Sequence, residues 1–145
     1  MRRCTPTALL LIGAAMLVGC SSSPPPEPSA TEQAVTDAST CEAFGDVLTI
    51  TGNADIALDQ GRIQRLEHDG WERLATRVLD RLPTTGEGAV SEVIAQLRET
   101  APAIASGAGF STGIGSAGWH EGVRALLEAC QSAGSDLAAE AFTGG

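Results

Sequence analysis

Apolar residues recur at helical spacing in four stretches of this sequence, and apolar and polar residues do not alternate over any length that predicts a strand. Whether Gly52-Asn53 interrupts the first helix stays open, and Pro102 kinks or ends the third. Because short connections join the first three helices, we expect an all-α, four-helix up-down-up-down bundle. The predicted helices span residues 39–60, 62–82, 84–104 and 119–134.

Two residue pairs have the form of a capping box and mark predicted helix starts. Ser39 and Glu42 stand at the start of the first helix, and Thr84 and Glu87 at the start of the third. The segment 135–142 is either a helical turn or an edge segment that folds back on the bundle, and the sequence leaves both open.

Each predicted helix has one apolar face. In the second helix this face includes Leu66 and Trp71, and in the fourth it includes Trp119 and Leu127. Tryptophans at such positions are more often core anchors than surfaces on which a ligand stacks. We therefore expect Trp71 and Trp119 in the core.

The first residues have the form of a secretion signal that ends in a lipobox. Two arginines precede an apolar stretch over residues 8–18, which is shorter than the roughly 20 residues of a membrane-spanning helix. Leu-Val-Gly-Cys closes it at residues 17–20. We predict that residues 1–19 are removed and that Cys20, carrying lipid, anchors the chain. An uncleaved anchor with an incidental cysteine is the less favoured alternative.

Residues 20–37 are rich in serine and proline and hold almost no large apolar side chain. Such a composition does not bury enough surface to offset the entropy of ordering, so we predict a disordered tether. A proline-rich recognition motif is the alternative. The folded part is then one small domain, residues 38–145.

Two cysteines remain once Cys4 leaves with the signal and Cys20 carries lipid. Cys41 begins the first predicted helix and Cys130 ends the fourth, so the predicted bundle places both at the same end. In an oxidising, extracytoplasmic compartment we expect a disulfide between them. A redox-active pair is the alternative, but neither residue lies in a CxxC motif.

The charge of the chain disfavours nucleic acid as a partner. Loss of Arg2 and Arg3 with the signal changes the formal net charge from −9 to −11, and the chain contains no lysine. Such a protein repels phosphate backbones and anionic lipid headgroups. We therefore expect its attachment to the membrane to come from the lipid on Cys20.

Two stretches of the domain stand out, CEAFGDVLTITGNAD and GWERLATRVLDRLP, and a late helix carries the second cysteine. Together with the lipobox, these features resemble a group of small actinobacterial secreted proteins and lipoproteins. The resemblance covers most of the folded domain and implies a helical domain with two cysteines. Because the group has no assigned activity, the resemblance implies no catalytic residue.

Each of the two histidines lies close in sequence to a tryptophan. In the predicted bundle the second and fourth helices both begin at the end opposite the predicted disulfide. The two histidine and tryptophan pairs therefore approach one another there, near a glycine-rich connection. His68, Glu72, His120 and Glu121 could ligate a metal, but their spacing matches no metal motif, so we predict no metal site and no cofactor. The candidate ligand-binding residues at this end are His68, Trp71, Phe110, Trp119 and His120.

Arg73, Arg77 and Arg81 recur every four residues on the second predicted helix. Ion pairs with neighbours, such as Asp69 with Arg73, are the common reason for such a pattern. The alternative is a docking strip for an acidic partner, and these three arginines are therefore candidate partner-binding residues.

We recognise no catalytic constellation in the sequence, and we expect no enzyme. The leading hypothesis is a non-enzymatic, lipid-anchored module on the extracytoplasmic face of the cell membrane that binds a protein or another component of the cell envelope. The second hypothesis is a small-ligand or metal binder that uses the histidine and tryptophan end of the bundle. The third hypothesis is an enzyme. The fold class does not distinguish these three hypotheses, because helical bundles host all of these functions.

Overall fold

The computed structural model describes residues 29–109 and 111–142. No strand occurs in these residues, which confirms the all-α prediction. The predicted lipidation site Cys20 and the candidate residue Phe110 lie outside the described residues. The described part of the chain contains four helices, α1 (Ala30–Asp59), α2 (Arg65–Asp80), α3 (Gly88–Thr100) and α4 (Ala117–Ser132).

α1 begins earlier than the sequence predicts. Ser29 is its N-cap: the Ser29 hydroxyl accepts a hydrogen bond from the N–H of Glu32, and the Glu32 carboxylate accepts one from the N–H of Ser29. The predicted start at Ser39 is therefore wrong, and residues 30–37, at the end of the predicted tether, are helical. The pKa of Glu32 is lowered chiefly by the hydrogen bond from the Ser29 hydroxyl and to a smaller extent by the one from the Ser29 backbone N–H.

The connection between α2 and α3 holds this first part of α1 in place. Gln33 Nε2 donates to the backbone oxygen of Glu87 at 2.7 Å, and the buried Thr40 hydroxyl donates to the carbonyl of Pro83. Glu87 is the N-cap of α3 but makes no side-chain capping bond, so the predicted capping box of Thr84 and Glu87 does not form. These tertiary contacts hold the first turns of α1, whose order the composition of the sequence does not predict.

One apolar core lies between the four helices. Its fully buried side chains include Phe44 of α1, Leu79 of α2, Ile94 of α3 and Leu126 of α4. Trp119 is only 4% exposed, and its ring centroid lies 6.1 Å from that of Phe44. Trp119 is therefore a core anchor, as the sequence predicts.

Three residues that the sequence places on the inward faces of helices lie at the surface. Leu66 is 76% exposed, Trp71 is 43% exposed and Leu127 is 38% exposed, so these three predictions are wrong. The face that α2 buries consists of Leu79 and of three smaller or polar residues, His68, Ala75 and Thr76. Because Leu79 is the one large apolar residue among these four, a pattern of large apolar residues misses this face.

A disulfide joins α1 to α4, which confirms the predicted pairing. Cys41 and Cys130 are both fully buried, their Cα atoms are 5.9 Å apart, and they are separated by 89 residues in the sequence. Among the described residues, no helix is long and apolar enough to cross a membrane.

The segment that follows α4 folds back on α1 without forming a helix. Asn53 Nδ2 donates to the backbone oxygen of Glu140 at 2.7 Å, and Asn53 Oδ1 accepts from the N–H of Phe142 at 2.6 Å. The hydroxyl of Thr49 accepts from the N–H of Glu140 at 2.9 Å. Asn53 therefore anchors the C-terminal segment. Gly52-Asn53 does not interrupt α1, which continues to Asp59.

Candidate functional site

A cavity of about 360 Å³ opens between the second half of α1 and the start of α2. Its lining is mostly apolar, with Arg62 and Glu67 as the charged residues, and Phe142 of the C-terminal segment closes one side. A volume of this size is typical of sites for small molecules, which range over about 300–1,000 Å³. The apolar lining consists of Ile50, Ala54, Ala57, Ile63, Trp71 and Phe142.

Local sequence explains why the space exists. α1 contributes the small, buried side chains of Ala54 and Ala57. α1 ends at a turn in which Gly61 has φ +68°, a conformation that favours glycine, and the chain then runs without helical structure until Arg65. Ile63 lies in this turn and forms a wall of the cavity.

The structure separates the predicted ligand-binding residues. Trp71 lines the cavity and His68 lies one helical turn before it, whereas Trp119 is buried against Phe44 and His120 is exposed on α4. Within residues 29–109 and 111–142, no hydrogen bond or ring contact joins the two histidine and tryptophan pairs. The cavity therefore uses one of the predicted residues, Trp71.

His68 is buried, whereas a histidine outside any metal motif usually lies at the surface. It is only 5% exposed, and its Nε2 lies 2.7 Å from Asp55 Oδ1 of α1. The ligand atoms of His68, Asp69 and Glu72 all lie within 4.8 Å of one another. In the described part of the chain these are the residues that could hold a metal ion, and neither His120 nor Glu121 belongs to the group.

The three predicted partner-binding arginines do not form one exposed strip. Arg81 is exposed, but Arg77 is partly buried and its Nη1 donates to the backbone oxygen of Ile104 at 3.4 Å. The Nε of Arg73 is buried without a hydrogen-bond partner. The predicted ion pair of Arg73 with Asp69 is not formed, since both ion pairs among the described residues involve His68.

The connection between α3 and α4 contains one pattern typical of hydrolases, which the prediction of no catalytic constellation leaves out. Residues 109–113 read Gly-Phe-Ser-Thr-Gly, which fits the Gly-x-Ser-x-Gly form of a hydrolase nucleophile elbow. That elbow requires a strand before the serine, and the described residues contain no strand. Ser111 is exposed and has no hydrogen bond to either histidine in the described chain. The surroundings of Ser111 therefore do not match such an elbow.

Most residues of the cavity are not among the ligand-binding residues predicted from the sequence. Its α1 residues belong to a helical stripe that continues past the core, from Ile50 through Ala54 to Ala57. That stripe could have indicated an extended apolar face. Phe142 bonds to Asn53, which lies more than eighty residues earlier in the chain. No local sequence pattern predicts a contact between residues so far apart.

Comparisons with known proteins add no assignment to this site. No protein-family model matches the chain, and no curated protein or solved structure matches it either.

Proposed function

We propose that this protein is a non-enzymatic, lipid-anchored binding module of the cell envelope, exposed on the extracytoplasmic face of the cell membrane. Its ligand site is the cavity between α1 and α2. The observation that carries this proposal is the apolar space of about 360 Å³ beside the partly exposed ring of Trp71. Anchoring rests on the lipobox cysteine, Cys20, of the sequence.

The topology that we propose for the domain is the up-down-up-down bundle. Asp55, near the end of α1, contacts His68 at the start of α2, while Thr40, earlier in α1, contacts Pro83 beyond the end of α2. A Cβ on Gly118, near the start of α4, would lie 3.5 Å from Thr100 Cγ2 at the end of α3, and one on Gly122 would lie 2.6 Å from Leu97 Cδ2, earlier in α3. These contacts support antiparallel packing within the pairs α1–α2 and α3–α4, and the cavity lies at the connection between the first two helices.

The occupant that fits this cavity is a small and mostly apolar molecule, with the acyl chain of a membrane lipid as the chemical class. The apolar residues match a hydrocarbon chain, and Arg62 offers a charge for an acidic head at the rim. An anchored domain is held close to a source of such chains.

Octanoate is a suitable probe, and the two tryptophans provide the readout. Trp71 lines the cavity whereas Trp119 is buried in the core, so an acyl chain in the cavity shifts the fluorescence emission of Trp71 to shorter wavelength. We expect a saturable shift in the full chain. The Trp71→Phe variant, which retains Trp119, is expected to show none.

Ala54→Leu tests the location, because the larger side chain fills the cavity. Ala95→Leu, at an exposed position of α3, is the matched control. We expect octanoate binding to weaken by about ten-fold or more in Ala54→Leu and to stay unchanged in Ala95→Leu, with melting temperatures recorded for both. Equal binding by the two variants, or no saturable shift in the full chain, would show that the cavity is not an acyl-chain site.

A further inference from the structure

A second site is formed by side chains that the apolar cavity does not use. His68, Asp69 and Glu72 lie in the first two turns of α2, and their ligand atoms are within 4.8 Å of one another. His68 and Glu72 are four residues apart and therefore share one face of the helix. The cluster thus joins one imidazole to two carboxylates.

The state of His68 distinguishes this cluster from an ordinary group of acidic residues. Its Nε2 lies 2.7 Å from Asp55 Oδ1, and because a carboxylate accepts hydrogen bonds, Nε2 is the donor. In the neutral ring Nδ1 then carries a lone pair. This atom is buried and has no hydrogen-bond partner, although His68 as a whole is only 5% exposed.

The carboxylates of Asp69 and Glu72 lie close enough to His68 Nδ1 for all three groups to bind one metal ion. Asp69 Oδ1 is 3.9 Å from His68 Nδ1, which is too long for a hydrogen bond. Glu72 Oε2 accepts a hydrogen bond of 2.8 Å from the hydroxyl of Thr112, in the connection between α3 and α4. Both His68 and Glu72 are therefore oriented by a second residue, as metal ligands in proteins usually are.

We propose that His68 Nδ1 and the carboxylates of Asp69 and Glu72 bind a divalent first-row transition-metal cation, with Zn²⁺ as the representative ion. An imidazole nitrogen favours such ions over Ca²⁺ and Mg²⁺, which prefer oxygen ligands. Two carboxylates and a neutral imidazole balance the charge of a divalent cation. Asp55 and Thr112 are positioning residues that orient the ligands from outside the coordination sphere.

The ion would link three parts of the fold. Asp55 belongs to α1, the ligands belong to α2, and Thr112 belongs to the connection before α4. Because the unfolded chain lacks this arrangement, binding stabilises the folded state, and the melting temperature is expected to rise with the Zn²⁺ concentration.

The test is calorimetric titration of the full chain with ZnCl₂, after alkylation of any thiol outside the disulfide between Cys41 and Cys130. We expect one saturable site in the wild-type chain. Glu72→Gln still accepts the bond from Thr112 but loses the charged ligand, so its affinity should fall by about ten-fold or more. His120→Ala is the matched control and should bind as the wild type does.

Circular dichroism without metal shows whether each variant is folded, and Asp69→Asn replaces Glu72→Gln if the latter is not. The proposal is overturned if the folded wild-type chain shows no saturable binding up to about 1 mM Zn²⁺, a concentration that corresponds to very weak affinity. It is also overturned if the folded ligand variant binds as tightly as the wild type. In either case the cluster is a structural ion-pair group around His68.

Discussion

At the scale of single residues, two glycines of α1 have opposite surroundings. Gly45 faces the C-terminal segment, and a Cβ built on it would lie 2.2 Å from the backbone oxygen of Ala138. A Cβ on Gly52 would meet no atom within 4 Å. The absence of a side chain at Gly45 therefore lets the C-terminal segment lie against the helix, while Gly52 serves no such contact.

We predict that Gly45→Ala displaces the C-terminal segment and destabilises the fold by about 1–3 kcal/mol, since a backbone oxygen cannot move as a flexible side chain does. The measurements are the melting temperature and the hydrogen-exchange rates of the Glu140 and Phe142 amides, which bond to α1.

Gly52→Ala is the control in the same helix. Replacing a glycine in a helix interior with alanine is expected to stabilise by about 0.5–1 kcal/mol when no clash arises. If the two substitutions changed stability in the same direction and by the same amount, the close packing at Gly45 would not be the reason.

At the scale of elements, an arginine of α3 satisfies the end of α2. Arg98 Nε donates to the carbonyl of Leu79 at 3.2 Å, and Arg98 Nη2 donates to that of Leu82 at 2.8 Å. Leu79 lies in the last turn of α2 and Leu82 just beyond its end, where the negative end of the helix dipole attracts a positive charge. A positive side chain from the neighbouring helix therefore completes α2 and orients α3 against it.

We predict that Arg98→Met, which preserves most of the apolar stem, lowers the free energy of unfolding by about 1–2 kcal/mol, because two carbonyls lose charged donors. Urea unfolding followed by circular dichroism measures the change. Arg124→Met, at an exposed position of α4, is the control and should stay within about 0.5 kcal/mol of the wild type. Equal losses in the two variants would contradict a specific role for Arg98.

At the scale of the whole molecule, the disulfide ties the first helix to the last. The bond closes a loop across 89 residues that includes α2 and α3. A cross-link of that length restricts the unfolded chain strongly, and in the chain-entropy model it stabilises by about 4–5 kcal/mol. The free energy of unfolding of a native protein is about 5–15 kcal/mol in total, so the disulfide supplies a large share of it.

We predict that the Cys41→Ala, Cys130→Ala double variant loses about 4 kcal/mol of stability relative to the oxidised chain, measured by urea unfolding. Cys20→Ala, which removes a cysteine outside the disulfide and leaves the bond intact, should unfold as the wild type does. A double variant as stable as the oxidised chain would mean that helix packing alone holds the molecule together.

The proposed attachment of the molecule to the membrane depends on Cys20. We predict that Cys20→Ala moves the protein into the aqueous fraction or leaves an unprocessed precursor, as measured by cell fractionation and mass spectrometry, because the acyl acceptor is lost. Cys4→Ala should remain membrane-bound. Normal processing and membrane retention of the Cys20 variant would contradict the lipoprotein proposal.

The sequence by itself determined the features that depend on local spacing. Apolar residues that recur at helical intervals predict four helices, and the helix that carries Trp119 buries it, because one face of a helix is defined by residues near in sequence. The pairing of Cys41 with Cys130 was also predicted, because these two cysteines remain once Cys4 and Cys20 are attributed to the proposed signal and lipobox.

Only the tertiary structure decided how those helices meet and where the candidate sites lie. It extends α1 to Ala30 through contacts with the α2–α3 connection, turns Trp71 outward, buries His68 against Asp55 and lays Phe142 over the cavity. Each of these features depends on residues far apart in sequence, so no local periodicity encodes them. The free energy of packing selects which face of a helix is covered, and at α2 that face combines Leu79 with His68, Ala75 and Thr76.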